Sequence, residues 1–201
     1  PNKDSRLANG VGLDTPAAAV TVIKALSERG YSVANPPQRS GALMQSLLSM
    51  PTNDLAARAV RSGGVTLSLP DYKRAYADLP ESTRRGIEER WGQPEADPFF
   101  EGAHGSFRLG IIEMGNVIVG VQPARGYNID PKETYHSPDL PPPHGYLAFY
   151  IWMRESFGVD AVIHMGKHGN LEWLPGKALA LSDGCFPEAI LRQVPNIYPF
   201  I

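Results

Sequence analysis

The residue types that could carry chemistry are concentrated between positions 164 and 177. This segment reads His-Met-Gly-Lys-His-Gly-Asn-Leu-Glu-Trp-Leu-Pro-Gly-Lys. His164, His168 and Glu172 offer imidazole nitrogens and a carboxylate, ligands that suit divalent ions such as cobalt, nickel or zinc. The same side chains could exchange protons near neutral pH. We therefore predict that His164, His168 and Glu172 are both the catalytic and the metal-ligating residues.

The backbone of this segment is predicted to be a loop. A four-residue spacing would align the three ionisable side chains on one face of a helix, but two intervening glycines and Pro175 disfavour a helix here. The fold must therefore bring the three side chains together. An apolar run at residues 159–163 precedes the loop. It predicts a buried strand that delivers the loop at its carboxyl end, where open α/β sheets bind ligands.

The same loop is open to other interpretations. Gly176 and Lys177 look like the end of a phosphate-binding Walker A motif, but Leu171 stands where that motif needs glycine and Ala178 where it needs Ser or Thr. Nucleotide binding is therefore disfavoured. The ionisable residues could also satisfy backbone groups in an ordinary polar loop, or hold a tight metal site in a metal-dependent hydrolase. A noncatalytic scaffold module that recognises only other subunits is a further alternative.

Three blocks of the sequence resemble one known family. Residues 164–177 are similar to the signature of the CobN/magnesium chelatase large-subunit family, in the form of its aerobic cobaltochelatase branch. Residues 120–130, which read Gly-Val-Gln-Pro-Ala-Arg-Gly-Tyr-Asn-Ile-Asp, resemble the same family, as do residues 135–136 and 141–146. Residues 9–16 form the third block. The resemblance covers most of the chain and is weakest from residue 38 to residue 105.

The resemblance implies an enzyme that inserts a metal into a tetrapyrrole. It implies the large subunit of an ATP-dependent cobaltochelatase, a ligase that forms nitrogen–metal bonds by inserting Co²⁺ into hydrogenobyrinic acid a,c-diamide in cobalamin biosynthesis. Co²⁺ would be a substrate, while ATP and Mg²⁺ would be used by an AAA+ motor subunit and its companion subunit. The alternative in the family is a magnesium chelatase acting on protoporphyrin IX. Histidine ligands favour cobalt, since Mg²⁺ prefers an all-oxygen octahedron.

The resemblance and the residue chemistry together predict the substrate-binding residues. Cationic side chains could pair with peripheral carboxylates of a corrinoid, and arginine does so through a planar fork. Trp173 could stack on the macrocycle, or it could anchor the loop by packing. The predicted substrate-binding residues are Gln122, Arg125, Lys167, Asn170, Trp173 and Lys177.

The elements that must position these residues predict an α/β fold, a mostly parallel sheet with flanking helices in Rossmann-like or flavodoxin-like layers. A β-branched run predicts a buried strand at residues 116–122. Apolar residues at helical spacing predict a broadly buried helix at 146–157, ended by Gly158. A second strand at 159–164 would complete a strand-helix-strand unit with parallel strands. The ends of both strands should then face one crevice. The two blocks that follow these strands, residues 120–146 and 164–177, which we call the two signature blocks, would meet there.

Local patterns predict the remaining elements. Asp14 and Pro16 begin a helix, a short strand starts at Tyr31, and the last residues form a strand. Further helices are predicted at 42–50, 53–61, from Ser68, at 83–91 and at 187–191, and a strand at 65–67. We expect two segments, 1–105 and 106–201, and a first strand upstream of Pro1. Because the family's large subunits are much longer than 201 residues, we expect an internal fragment that is inactive alone.

Composition limits the classes of function. The chain is 42% hydrophobic and 20% charged, as in ordinary globular proteins. A formal net charge of -2 argues against nucleic acid as a partner. The single cysteine, Cys185, fits a reducing cytoplasm. No apolar run approaches the roughly 20 residues that span a bilayer, so we predict no membrane span and a cytoplasmic protein.

Overall fold

A computed structural model of the chain describes residues 4, 7–10, 12–126, 137, 139–166, 170–176, 182 and 184–199, with only the backbone at 9, 10, 170 and 172. The helices are α1 (Thr15–Glu28), α2 (Ser40–Ser49), α3 (Leu55–Arg58), α4 (Leu69–Ala77), α5 (Glu81–Trp91), α6 (His144–Ile151) and α7 (Phe186–Leu191). A π-helix at Trp152–Phe157 continues α6, and 3-10 helices lie at Pro94–Ala96 and Asn170–Trp173. Within these residues no helix has the length and apolar character needed to cross a membrane.

The strands of the described residues form four small sheets. They are β1 (Asn9–Gly10), β2 (Leu13–Asp14), β3 (Val65–Ser68), β4 (Phe100–Glu101), β5 (Ser106–Leu109), β6 (Ile111–Met114), β7 (Val117–Gly120), β8 (Val162–Ile163) and β9 (Asn196–Ile197). β1 pairs with β2, β5 lies between β3 and β4, and β6 pairs with β7, all antiparallel. Only β8 and β9 are parallel in this part of the chain. Helices and strands are both present, as predicted, but the mostly parallel sheet is not confirmed.

The predicted strand-helix-strand unit differs in its pairing. The strand expected at 116–122 is β7, and it folds back on β6 with Met114 opposite Val117. Gly115 has φ +70° in the turn between them, and Gly-Asn is a two-residue hairpin signal. The strand expected at 159–164 is β8, which pairs with β9 instead. For the described residues, the expectation that both strands share one parallel sheet is therefore wrong.

Helix α6 lies at the centre of the core, as the apolar pattern predicted. Every side chain from His144 to Met153 is buried, which is expected of a helix that is apolar all round. Its N-terminus is held by Asp97, whose Oδ2 accepts a hydrogen bond from the backbone N–H of Gly145 at 2.7 Å. Gly158 ends the π-helix with φ +75° and a bond from its N–H to the carbonyl of Met153. The aromatic residues of this helix therefore serve the core.

Most of the locally predicted helices are confirmed, because capping signals act over a few residues. Asp14 accepts a hydrogen bond from Ala17 N at the start of α1, and Ser68 accepts one from Asp71 N at the start of α4. The short strand predicted from Tyr31 is wrong, since residues 31–33 are irregular. They nevertheless run beside the β6–β7 hairpin, where Asn116 N–H donates to Ser32 O at 2.7 Å.

The predicted division into residues 1–105 and 106–201 stays a prediction. Strand β3 from the first segment pairs with β5 from the second along its full length. Buried side chains of both segments also belong to one hydrophobic cluster, which includes Tyr72, Ile87, Phe107 and Tyr146.

Candidate functional site

The described part of residues 164–177, which we call the signature segment, is anchored to the core by two leucines. Leu171 and Leu174 are buried in the hydrophobic cluster that contains α6. The carbonyl of Pro175 accepts a hydrogen bond from Phe186 N at 3.0 Å. Gly176 has φ +92°, and a Cβ there would lie 2.5 Å from Gly184 O. The end of the segment thus packs closely against the chain that leads into α7, at a distance only glycine allows.

Trp173 lies between the two anchoring leucines in sequence, but it is more exposed than either of them. Its side chain is 37% exposed, whereas Leu171 and Leu174 are buried. The leucines therefore anchor the segment by packing, and the two interpretations of Trp173, stacking on a macrocycle and packing under the loop, both stay predictions. A flat ligand could stack on the exposed part of this indole, which lies on a short 3-10 helix.

His164 is positioned by the parallel pairing of β8 with β9. Its backbone N–H donates to Ile197 O at 2.8 Å, and its ring lies edge-on to Tyr198 with centroids 5.0 Å apart. The imidazole is partly buried. Tyr198 was not predicted as a site residue. Extending the register Ile163↔Ile197 by one position would have placed it opposite His164, but only if the partner of this strand had been identified.

Several of the predicted metal-ligating and substrate-binding side chains lie outside the described part of the chain. Lys167, His168 and Lys177 lie outside the described residues, as do the side chains of Asn170 and Glu172. Of the three predicted catalytic and metal-ligating residues, His164 alone is therefore described. Among described side chains, no group of three His, Cys, Asp or Glu residues is close enough to hold a metal ion.

Gln122 is held against α6 by two tyrosines. A Cβ at Gly120 would lie 2.8 Å from Cζ of Phe149, so glycine lets the end of β7 approach the helix. Two residues further on, Gln122 Nε2 donates to the hydroxyls of Tyr146 at 3.2 Å and Tyr150 at 2.8 Å. Burial raises the pKa of both tyrosines, so both hydroxyls stay protonated and neutral.

The backbone after β7 is held from the other side by Asn53. Its Nδ2 donates to the carbonyl of Gln122 at 2.9 Å, and its Oδ1 accepts from Ala124 N at 3.1 Å. Asn53 is itself buried. One side-chain amide therefore satisfies two backbone groups and fixes the path of residues 122–124, which lead to Arg125. Sequence reasoning had assigned no role to this residue.

Arg125, predicted to bind substrate as a cation, is buried. The residue is 4% exposed. Nη2 donates to the carbonyls of Ser137 at 2.8 Å and Leu140 at 3.3 Å, while Nε and Nη1 are buried with no acceptor among the described residues. Burial lowers the pKa of the guanidinium, and the nearby Tyr146 opposes that shift. Guanidinium nevertheless stays charged in proteins, so a positive charge lies inside the molecule here.

His144, in the signature block at residues 120–146, is a structural residue. It is fully buried, and its Nε2 lies 2.9 Å from the carbonyl of Gly92, which can only accept. Nε2 therefore carries the proton, and Nδ1 accepts a hydrogen bond from the Tyr72 hydroxyl at 2.6 Å. Burial lowers the pKa of His144. Both ring nitrogens are satisfied in the neutral form, which ties α6 to α4 and to the end of α5.

The two signature blocks are thus each described in part. Gln122 and Arg125 both lie beside Tyr146, a relationship that was not predicted. That they face one crevice with His164 and His168 stays a prediction.

The whole chain is similar to proteins of one family. The family model described as CobN/Magnesium Chelatase matches residues 1–201. "Aerobic cobaltochelatase subunit CobN" of Sinorhizobium sp is 58% identical over 201 residues, and the protein of the same name from Pseudomonas aeruginosa is 49% identical over 201 residues. "Magnesium-chelatase subunit ChlH, chloroplastic" of Oryza sativa subsp. japonica is 33% identical over 178 residues, or 89% of this chain.

A solved structure shows the same likeness. The "Catalytic Subunit of Cobaltochelatase from Mycobacterium tuberculosis" superposes with a TM-score of 0.81 and 38% identity, over 96% of this chain and 17% of that chain. The chain spans 16% of the length of the two CobN relatives and 12% of the ChlH relative.

Proposed function

The chain belongs to the CobN/magnesium chelatase family, and from this membership we propose that it forms part of the tetrapyrrole-binding large subunit of an ATP-dependent cobaltochelatase. The whole enzyme inserts Co²⁺ into hydrogenobyrinic acid a,c-diamide, a step of cobalamin biosynthesis. ATP and Mg²⁺ are used by a separate AAA+ motor and its companion subunit. The reaction takes place in the cytoplasm, and the 201 residues alone do not turn over.

The observation that carries this proposal is the extent of the likeness to cobaltochelatase chains. It runs through all 201 residues and is closer than the likeness to magnesium chelatase chains. The residue chemistry agrees, since imidazole suits cobalt better than magnesium. Magnesium insertion into protoporphyrin IX is the second candidate, because the family includes magnesium chelatase subunits.

The proposed chemistry starts from what metal insertion requires. A tetrapyrrole loses two ring protons as a divalent metal enters, so the site needs bases, and histidine accepts protons near neutral pH. The incoming metal also needs ligands that release it, such as imidazole and carboxylate. We assign both roles to His164, His168 and Glu172. The position of His164 supports its role, because its backbone is bonded to β9 and its ring contacts Tyr198, yet the residue keeps part of its surface accessible.

The proposed substrate contacts divide into stacking and polar groups. Trp173 would stack on the macrocycle with the exposed part of its indole. Lys167, Lys177 and Arg125 would meet peripheral carboxylates. Gln122 and Asn170 would donate hydrogen bonds to peripheral oxygens. Gln122 Nε2 already donates to two tyrosine hydroxyls, so it would contact substrate chiefly by giving up one of these bonds.

The identity of the substrate is tested by titrating the whole protein with each tetrapyrrole and following the absorbance. Hydrogenobyrinic acid a,c-diamide should bind more tightly than protoporphyrin IX. With the motor and companion subunits and ATP present, His164→Ala should slow Co²⁺ insertion by roughly 100-fold, the range expected for loss of a general base. His104→Ala is the matched control, because that histidine lies on the surface with its side chain 73% exposed, and its rate should not change.

Two results would contradict this assignment. Tighter binding of protoporphyrin IX, with faster insertion of Mg²⁺ than of Co²⁺, would move the protein to the magnesium branch. Binding of neither tetrapyrrole by the whole protein would leave the scaffold interpretation.

A further inference from the structure

Arg125 is a buried cation without a counter-charge in the described part of the chain. Arginine has five N–H donors and no acceptor. The two hydrogen bonds to Ser137 O and Leu140 O both come from Nη2. The single donor on Nε and the two on Nη1 are therefore unsatisfied by the described residues. A buried charge is costly unless it is paired and hydrogen-bonded.

Arg58 is a second buried arginine of this fold, and its contacts differ from those of Arg125. It is about as buried as Arg125. Its guanidinium lies 4.0 Å above the ring of Phe99, and its two Nη groups reach different carbonyls, those of Thr52 and Arg108. An aromatic face and carbonyls on separate nitrogens accommodate the charge of Arg58. Among the described residues, the hydrogen bonds of Arg125 all come from one nitrogen, and no aromatic face is recorded against its guanidinium.

The described neighbours of Arg125 cannot neutralise it. Tyr146 is the residue that acts on it electrostatically, and burial raises the pKa of this tyrosine well above its ordinary range, so it is not a phenolate. Gln122, which bonds to the same tyrosine, carries a neutral amide. No carboxylate of the described residues forms an ion pair with Arg125. A negatively charged partner for Arg125 would therefore lie outside the described residues, on another part of the chain or on a ligand.

We propose that Arg125 selects a tetrapyrrole by the charge of one peripheral side chain, accepting an ionised carboxylate and rejecting the corresponding primary amide. This inference rests on the proposed function and defines its substrate class. A carboxylate supplies acceptors and the missing charge in one group. A primary amide has one acceptor oxygen, carries no charge and directs its own N–H donors at those of the guanidinium. Such a mismatch in a buried polar site is strongly discriminated against.

The test compares two ligands and four forms of the whole protein. The ligands are hydrogenobyrinic acid a,c-diamide and the same macrocycle with its remaining carboxylates converted to primary amides, each titrated by absorbance. The proteins are wild type, Arg125→Gln, Arg125→Lys and the control Arg85→Gln, whose side chain is 70% exposed on α5. The measured quantity is the ratio of the two dissociation constants for each protein.

We expect wild type and Arg85→Gln to prefer the carboxylate form by the same factor, on the order of 100-fold. Arg125→Gln should lose the share of this preference that Arg125 supplies, by weaker binding of the carboxylate form, while Lys167 and Lys177 keep their own pairs with carboxylates. Arg125→Lys keeps the charge without the planar fork, so it should retain more of the preference than Arg125→Gln. If Arg125→Gln does not fold, Arg125→Lys still provides a ratio to compare with that of wild type.

The ratio separates this inference from the proposed function. If wild type binds the corrinoid but neither variant at Arg125 changes the ratio, the charge selection is refuted and the proposed function stands. If both variants weaken the two ligands equally and lower the melting temperature, Arg125 serves the fold, and the inference is again refuted. If wild type binds neither corrinoid form, the proposed function fails and this inference fails with it.

Discussion

The imidazole of His164 lies edge-on against the ring of Tyr198, with centroids 5.0 Å apart and ring planes at 85°. The two residues are far apart in sequence and meet because β8 and β9 pair in parallel, with Ile163 opposite Ile197. Aromatic contacts of this geometry contribute about 0.5–1.5 kcal/mol beyond burial. The orientation of the proposed base therefore depends on a strand that carries none of the signature.

Removing the Tyr198 ring should impair metal insertion more than removing its hydroxyl. Tyr198→Ala loses the contact that orients His164, and a loss of about 1 kcal/mol corresponds to a rate about five-fold lower. Tyr198→Phe keeps the ring and should retain more of the activity. The insertion rate, measured with the partner subunits, checks this. Equal rates for the two variants would show that the ring does not orient His164.

Two glycine-to-alanine substitutions in helices should have opposite effects on stability. A Cβ at Gly145 in α6 would lie 2.8 Å from Phe99 and 2.9 Å from Oδ1 of Asp97, so something must shift. A Cβ at Gly86 in α5 would only touch Pro141 at 3.8 Å. Overpacking costs about 1–3 kcal/mol, and alanine in a helix gains up to about 1 kcal/mol. We expect Gly145→Ala to lower the free energy of unfolding and Gly86→Ala to raise it.

Urea unfolding of the two glycine variants beside wild type checks the pair. A stabilised Gly145→Ala variant would mean that α6 can move away from Asp97 and Phe99.

Stability should fall on mild acidification because of His144. Burial lowers its pKa in the folded state, against the opposing effects of the Gly92 carbonyl and the charges of Asp97, Glu88 and Glu95. Below the unfolded-state pKa of about 6.5, the unfolded chain therefore binds more protons at this residue than the folded chain. The stability that neutral His144 contributes is complete above that pH and is lost as the pH falls, by at most about 1.4 kcal/mol per pH unit.

The His144 prediction is measured as the change in unfolding free energy between pH 7.5 and pH 5.5, compared among variants. His144→Gln does not titrate, so its stability should change less with pH than that of wild type, whatever its stability at neutral pH. His104→Gln, at the exposed histidine, should behave as wild type. An unchanged pH dependence in His144→Gln would show that His144 titrates alike in both states.

Two substitutions in the signature segment should have different effects, one on tetrapyrrole binding and the other on the free energy of unfolding. Trp173→Ala removes a partly exposed ring, and a stacking loss of about 1.4 kcal/mol would weaken tetrapyrrole binding about ten-fold with little effect on unfolding. Leu171→Ala empties a buried position and should lower the free energy of unfolding by about 2–5 kcal/mol. Binding and urea unfolding, measured on both variants, check this. A large loss of stability in Trp173→Ala would make the indole a packing anchor.

Elements whose signals are local could be predicted from the sequence. The cap at Asp14 with Pro16 and the cap at Ser68 each act within one helical turn, and both helices are found. The buried helix after Pro143 carries its own apolar pattern over more than three turns. These signals need no knowledge of the rest of the molecule.

Strand pairing could not be predicted in the same way. The apolar character of residues 116–122 indicates burial but does not identify a partner, and the hairpin signal at Gly115 and Asn116 was overlooked. The pairing of β8 with β9 joins distant parts of the chain. Register is a property of two segments, so a pattern within one of them cannot define it.

For the candidate site, the sequence predicts residue types, which stay predictions, and does not predict the environments of their side chains. An arginine is exposed far more often than buried, so nothing in the sequence indicated that Arg125 would lie inside. Its burial depends on residues 122–124, held by Asn53, and on two carbonyls from residues 137 and 140. Tyr198 was not predicted as a site residue either, because its contact with His164 depends on the pairing of β8 with β9.

The β8–β9 pairing also affects the entropy of ligand binding. It joins the two ends of residues 164–195, so this long stretch is a closed loop, and the entropy of closure is lost once, on folding. The buried Leu171 and Leu174, and the bond from Phe186 to Pro175, divide that loop into shorter ones. In general, a loop that is tethered at both ends loses less conformational entropy on ordering than a chain tethered at one end. A tetrapyrrole that contacts this segment would therefore meet a smaller ordering cost, which favours binding without any additional contact.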